Sequence, residues 1–151
     1  MTDLYDKDVY SWALKQADAL RRRSANEIDW DNVAEEIESV GKSEARELAS
    51  RLAVLICHLL KWRFQPELRG KSWRATIITQ RRLIAAHLVA TPSLKARQDD
   101  AFAQAYIEGL GMAARETSLD LDDFPETPPF TLDQAMDPAF WPEPPPEAQA
   151  T

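Results

Sequence analysis

A long apolar run in the middle of the chain restricts the fold more than any other feature. Leucine and tryptophan recur at alternating intervals of four and three residues from Leu48 to Trp62. At about 100° per residue, the apolar side chains of residues 42–65 cover roughly 220° of a helix surface. A helix with so narrow a polar side is buried on several sides, so this run predicts the central helix of an all-α protein.

Further helices are predicted on both sides of the central one. The chain has only 4 glycines in 151 residues, which favours helix. Apolar spacing and breakers such as Pro66 predict additional helices over about residues 6–23, 72–90 and 94–116, and another beginning at Asp29 or Asp31. Whether residues 31–65 form one helix or two stays open. The expected fold is a compact bundle of about four to five helices in a single domain over residues 1–141.

The composition changes after Thr117, where eight of the ten prolines lie among acidic and aromatic residues. This part predicts an irregular C-terminal arm whose aromatic side chains cover the bundle, with one helical turn over residues 131–136. Residues 142–151 lack large apolar anchors and predict a disordered, proline-rich tail.

Positive charge is concentrated in the centre of an acidic chain. Residues 1–41, 42–82 and 83–151 carry net charges of −5, +7 and −9. We call residues 61–82 the basic hairpin, because arginine and lysine alternate there with tryptophan and phenylalanine. Such asymmetry attracts either the acidic parts of the same chain or an anionic partner.

The cellular location of the protein and the state of its cysteine are predicted from features that the sequence lacks. No segment is long and apolar enough to predict a membrane-spanning helix, and the first residues do not resemble a secretion signal. The single cysteine, Cys57, excludes an intrachain disulfide and lies in an apolar run, where a thiol is typically buried. A cytoplasmic protein without membrane contact is expected.

Several short motifs are distinctive when taken together. They are Leu4-Tyr-Asp, Trp12, Asp29-Trp, Glu35-Glu-Ile-Glu38, His58-Leu-Leu-Lys-Trp62, Gln65-Pro66, Ser72-Trp-Arg-Ala-Thr-Ile77, Gln80-Arg81 and Phe140-Trp-Pro142. With these motifs the chain resembles the family catalogued as domain of unknown function 29, over residues 4 to about 143. The resemblance implies a small, all-helical bacterial protein and no established activity. It also marks eight residues for testing: Glu35, Glu38, His58, Lys61, Trp62, Gln65, Trp73 and Arg81.

Acid/base or metal chemistry is one possible use of these residues. Glu35 and Glu38 lie on one stripe of a helix, where they could meet His58 and Lys61 in a small metal-dependent or acid/base enzyme. However, carboxylate-bridged helical bundles use Glu-x-x-His pairs, and Leu55 stands three residues before His58. Ion pairing or solvation of the carboxylates is the simpler interpretation, and no metal or cofactor is expected.

Anion binding by the basic hairpin is a second alternative. Gln65, Arg74 and Arg81 are candidate binding residues, because arginines beside aromatic rings can contact phosphates and bases. A net charge of −7 nevertheless disfavours a nucleic-acid binder. We therefore expect a non-enzymatic interaction module whose acidic arms pack on its own basic hairpin, and which binds a protein partner or a second copy of itself.

Overall fold

The computed structural model describes residues 3–146 and confirms the all-α class. The chain forms two compact units, Met1–Glu44 and Ala45–Thr151, called here the N-terminal and C-terminal units. The prediction of one domain over residues 1–141 stays a prediction. The α-helices are α1 (Asp3–Lys7), α2 (Val9–Arg21), α3 (Trp30–Phe64), α4 (Lys71–Ala90), α5 (Gln98–Glu116) and α6 (Leu132–Met136). Short 3₁₀ turns lie at Ala25–Glu27, Pro66–Leu68, Pro92–Arg97 and Leu121–Asp123.

The first predicted helix is interrupted at Asp8. The Asp8 side chain accepts a hydrogen bond from the backbone N–H of Ser11 at 3.1 Å and so caps α2. A carboxylate that satisfies an otherwise unpaired N–H stabilises the start of a helix. The segment therefore forms a short α1 and a separate α2 instead of one helix over residues 6–23.

A polar network fixes the loop between α2 and α3. The buried Trp12 ring donates from Nε1 to the Asp29 carboxylate at 3.1 Å, and Asn32 donates to the same oxygen at 2.8 Å. Gln16 accepts from the Asp29 backbone N–H at 2.7 Å and donates to the Glu27 carbonyl at 3.1 Å. The hydrogen bond from Asn32, and then that from Trp12, lower the pKa of Asp29. The sequence left Asp29 and Asp31 as alternative starts of this helix. Since α3 begins at Trp30, Asp29 is the one that lies at its start.

The question left open for residues 31–65 is answered by one continuous helix of 35 residues. Gly41 does not break it, because the intrahelical hydrogen bonds need no side chain. The helix ends at Phe64, two residues before Pro66, whose ring is incompatible with a preceding helical turn.

The core of the C-terminal unit surrounds the second half of α3. Leu52, Leu55 and Leu59 are at most 1% exposed, which confirms the predicted central stripe. Ile77 and Ile84 of α4 pack in the same cluster. Helix α5 contributes Ala105 and Ala113 on either side of Gly109, so small side chains occur where α5 packs in this core.

The C-terminal arm packs on this core through aromatic side chains, as predicted. Phe124 and Phe130 are buried, and Phe140 and Trp141 are partly buried against the cluster. The predicted helical turn is helix α6, and it begins with a capping box in which Thr131 and Gln134 bond each other's backbone N–H groups. Pro142 is also buried, and the structure describes the predicted tail as far as Pro146, so residues 147–151 lie outside the described residues.

Every helix of residues 3–146 is too short or too polar to cross a lipid bilayer.

Candidate functional site

The two predicted acid/base carboxylates lie on the N-terminal unit. Glu35 and Glu38 are exposed side chains on the first part of α3, within Met1–Glu44. His58 lies on the later part of α3 and belongs to Ala45–Thr151. The acid/base or metal site built from these three residues stays a prediction.

Lys61 is a buried cation that is paired within the C-terminal unit. Its Nζ lies 3.2 Å from Oε2 of Glu116 and 5.0 Å from the centre of the Trp73 ring. Sγ of Cys57 donates to the same glutamate oxygen at 3.1 Å. The hydrogen bond from Cys57, followed by that from Lys61, lowers the pKa of Glu116. The buried Lys61 ammonium therefore forms a structural ion pair with Glu116.

His58 and Cys57 lack the settings that activate a base or a nucleophile. Nδ1 of His58 lies 2.9 Å from the Val54 carbonyl oxygen, one turn earlier on α3. Burial is the main cause that lowers the pKa of His58, so the ring stays neutral at neutral pH. Burial raises the pKa of Cys57 to about 12, and the thiolate is the nucleophilic form of a cysteine. The side chains around Lys61 therefore form a hydrogen-bonded packing cluster.

We expect the Cys57 thiol to be unreactive in the folded protein. At pH 8, a thiol reagent should label the native protein far more slowly than the protein in denaturant, because the native thiol is protonated and buried. Labelling can be followed by mass spectrometry. Equal rates in the two states would contradict the burial of Cys57.

Gln65, one of the predicted binding residues, directly follows the end of α3. Its side chain is 7% exposed and donates from Nε2 to the Phe64 carbonyl at 3.3 Å. This bond satisfies a carbonyl at the helix terminus, where the regular hydrogen-bond ladder has ended. The described contacts of Gln65 are thus local.

The arginines of the basic hairpin hold the C-terminal arm through its backbone. Arg81 donates to the carbonyls of Ala135 and Phe140, both at 2.7 Å. Arg69 donates to the Pro142 carbonyl at 3.2 Å, and Arg63 donates to the Glu143 carbonyl at 2.6 Å. Arg69 also donates to the Trp62 carbonyl at 2.6 Å, which closes the turn after α3.

These contacts differ from the expected pairing of the basic hairpin with acidic side chains. Carbonyl oxygens accept the hydrogen bonds of a guanidinium, but they carry no net charge and do not neutralise it. The arm therefore packs where expected, while the arginine charges remain. Every residue type has a backbone carbonyl, so this mode of contact cannot be predicted from the sequence.

Trp141 of the packed arm lies close to the Trp62 ring and to two guanidinium groups. Its ring centre is 4.7 Å from that of Trp62, and the guanidinium carbons of Arg74 and Arg81 lie 5.6 Å and 5.4 Å from the ring centre. Guanidinium groups at this distance are attracted by the negative face of the indole. Trp62 and Trp73 are both partly buried.

A second feature lies in the N-terminal unit, where α2 and α3 leave an apolar groove uncovered. The groove has a volume of about 220 Å³. We call it the apolar groove. The apolar side chains that line it are Trp12, Ala13, Ala17, Leu20, Val33, Ile37 and Val40. Ile37 and Val40 are each 67% exposed and Leu20 is 39% exposed. Helical spacing alone does not indicate that these residues are left uncovered.

The comparisons with known proteins identify a family. The model of the family described as domain of unknown function DUF29 matches residues 4–141. No curated protein and no solved structure matches the chain. The match covers nearly all of the residues that form the two units. The resemblance carried by the Leu4-Tyr-Asp, Asp29-Trp and His58 to Trp62 motifs is thereby confirmed, and the chain belongs to the DUF29 family.

Proposed function

We propose that this protein is an interaction module whose apolar groove binds an amphipathic, basic helix of a partner protein. The observation that carries the proposal is the uncovered apolar groove of the N-terminal unit. Val33, Ile37 and Val40 follow one another at intervals of four and three residues, the spacing by which one helix presents an apolar stripe to another. The proposed setting is the cytoplasm, where an unpaired thiol such as Cys57 is kept reduced.

The N-terminal unit has little core of its own. Among the side chains of residues 4–44, only Trp12 and Ala19 are buried apolar groups. Seven large apolar side chains of the same segment are exposed: Val9, Tyr10, Leu14, Leu20, Trp30, Ile37 and Val40. A unit of this size rarely has a sufficient core without a partner, and a clustered apolar surface marks a site of association. A helix laid into the apolar groove would bury Leu20, Ile37 and Val40.

Charge complementarity indicates a basic partner. From Trp30 to Gly41, α3 carries four acidic residues and no basic one: Asp31, Glu35, Glu36 and Glu38. Like charges would oppose the approach of a second, equally acidic copy of the unit, and they would also oppose adsorption to anionic lipid. Lysine or arginine beside the apolar face of a partner helix would be attracted instead, with an increased association rate. The exposed carboxylates of Glu35 and Glu38 thereby attract the basic partner helix as it approaches the apolar groove.

We expect a basic amphipathic peptide to bind the protein and an acidic counterpart to bind much more weakly. The probe is a labelled peptide of about five helical turns, with leucines at intervals of three and four and lysines beside them. Its counterpart has glutamate in place of lysine. Fluorescence anisotropy should give a dissociation constant of roughly 1–100 µM for the basic peptide. The affinity should fall as salt is added, because the contributing charges are exposed.

A matched pair of substitutions tests the position of the binding site. Ile37→Gln should weaken binding by about tenfold or more, the effect of losing an interface anchor worth at least about 1.4 kcal/mol. Ile107→Gln is the control, because Ile107 is also a helical isoleucine that is 67% exposed but lies on α5. Equal losses in the two variants, or equal binding of both peptides, would refute the proposal. Wild-type dimers in sedimentation equilibrium that Ile37→Gln dissociates would identify a second copy as the occupant and would likewise refute it.

A further inference from the structure

A small cavity of the C-terminal unit combines three arginines with an aromatic ring. Its volume is about 210 Å³, and it is lined by Arg74, Ile78, Arg81, Arg82, Pro138 and Trp141. The four α4 residues are spaced by four, three and one positions, which places them on one face of that helix. The arm supplies the opposite wall through Pro138 and Trp141.

The positive charge of this cavity is not neutralised by ion pairs. Within residues 3–146, no carboxylate lies within ion-pair distance of Arg74, Arg81 or Arg82. Arg81 bonds two neutral carbonyls, and Arg74 lies over the Trp141 ring. The Asp137 carboxylate forms no ion pair with Arg81, and its effect on Arg81 is a longer-range electrostatic attraction. Three unneutralised guanidinium groups around one cavity favour an anionic ligand.

Arg81 is the strongest indication of a ligand. The residue is 4% exposed, and its Nη1 is a buried donor without a partner. Leaving a buried, charged donor unpaired costs more free energy than leaving a neutral one, and a nearby anion offsets that cost. The two carbonyl bonds already fix the plane of the guanidinium, so little side-chain freedom remains to be lost when an anion binds.

We propose that this cavity binds a small oxyanion of the phosphate type. Arg74 and Arg82 are exposed and would contact the oxygens directly, while Arg81 supplies a fixed charge from within the protein. Guanidinium groups bind phosphate oxygens in pairs, and several of them around one site favour a dianion over a monocarboxylate. The cavity is smaller than the roughly 300–1,000 Å³ of sites for cofactor-sized ligands. The ligand is therefore inorganic phosphate itself or the phosphate group at the end of a larger molecule.

The proposal is tested by calorimetric titration of the full chain with inorganic phosphate, a phosphoserine peptide and acetate. Phosphate should bind saturably with a dissociation constant of about 1 mM or less, and acetate at least about tenfold more weakly. Equal affinity for phosphate and phosphoserine would indicate recognition of the phosphate group alone. Tighter binding of phosphoserine would identify a phosphate ester as the source, and both results support the site.

Two double variants with the same change in net charge separate a built site from general attraction. Arg74→Gln with Arg82→Gln should weaken phosphate binding by about tenfold or more, the loss of at least one charge-assisted contact. Lys95→Gln with Arg97→Gln removes two exposed positive charges outside the cavity and should change the affinity less than twofold, about the limit of resolution in affinity comparisons. All four substitutions replace exposed side chains, and circular dichroism verifies folding. Failure of phosphate to saturate below about 10 mM, or equal losses in the two double variants, would overturn the proposal.

Discussion

Leu55→Ala should lower the free energy of unfolding by roughly 2–5 kcal/mol, the largest effect that we expect from a single substitution in this chain. Leu55 is fully buried in the core cluster, between Leu52 and Leu59 on the central helix. Truncation removes apolar contacts and leaves a cavity, and α3 cannot move into it without displacing the residues packed along its other sides. Urea denaturation followed by circular dichroism measures the loss.

The control for Leu55→Ala is Leu83→Ala on α4. Leu83 is also a helical leucine of the C-terminal unit, but it is 40% exposed. The two substitutions change helix propensity equally, so the difference between them reports burial alone. Leu83→Ala should cost less than about 1 kcal/mol. A loss below about half a kcal/mol for Leu55→Ala would place Leu55 outside the core. It would refute the predicted arrangement of apolar side chains around the central helix.

Gly109→Ala should be the second most damaging change, with a loss of about 1–3 kcal/mol. A Cβ atom at this position would lie 2.8 Å from Cγ2 of Ile56 and 2.9 Å from the Ala53 carbonyl oxygen. Both distances are too short for nonbonded atoms, and a backbone oxygen within α3 cannot move aside without moving the helix. Chemical denaturation of the variant measures the cost.

Gly111→Ala on the same helix is the matched control for Gly109→Ala. Its Cβ would meet only Nη1 of Arg115, at 3.4 Å, the far end of a flexible side chain. Alanine is favoured over glycine in a helix interior by up to about 1 kcal/mol, so this substitution should be neutral or stabilising. Equal losses at the two positions would mean that α5 does not approach α3 closely at Gly109.

The sequence predicted the C-terminal unit better than any other part of the fold. The spacing from Leu48 to Trp62 predicted which side chains are buried, because helix period and burial are directly linked. Ala105, Gly109 and Ala113 recur at intervals of four residues, a spacing of small side chains that permits a close helix contact. The break at Asp8 was missed, because an aspartate is compatible both with a helix and with its cap.

The candidate sites were predictable only in part. The charge pattern of residues 61–82 indicated a basic hairpin, but the arginines bond backbone carbonyls, which every residue type offers. Val33, Ile37 and Val40 recur at intervals of four and three residues, which is the spacing of an apolar helix face. Periodicity shows that such a face exists and not which surface covers it, so the exposure of the apolar groove became evident only in the structure.

The central claim, that the apolar groove binds a basic amphipathic helix, is tested most directly by nuclear magnetic resonance of methyl groups during titration with the basic peptide. We expect the methyl signals of Val33, Ile37 and Val40 to shift and saturate together. Those of Ile107 and Val89, which are equally or more exposed on α5 and α4, should remain in place. Saturable shifts at Ile107 or Val89 with none at Ile37 would contradict the account.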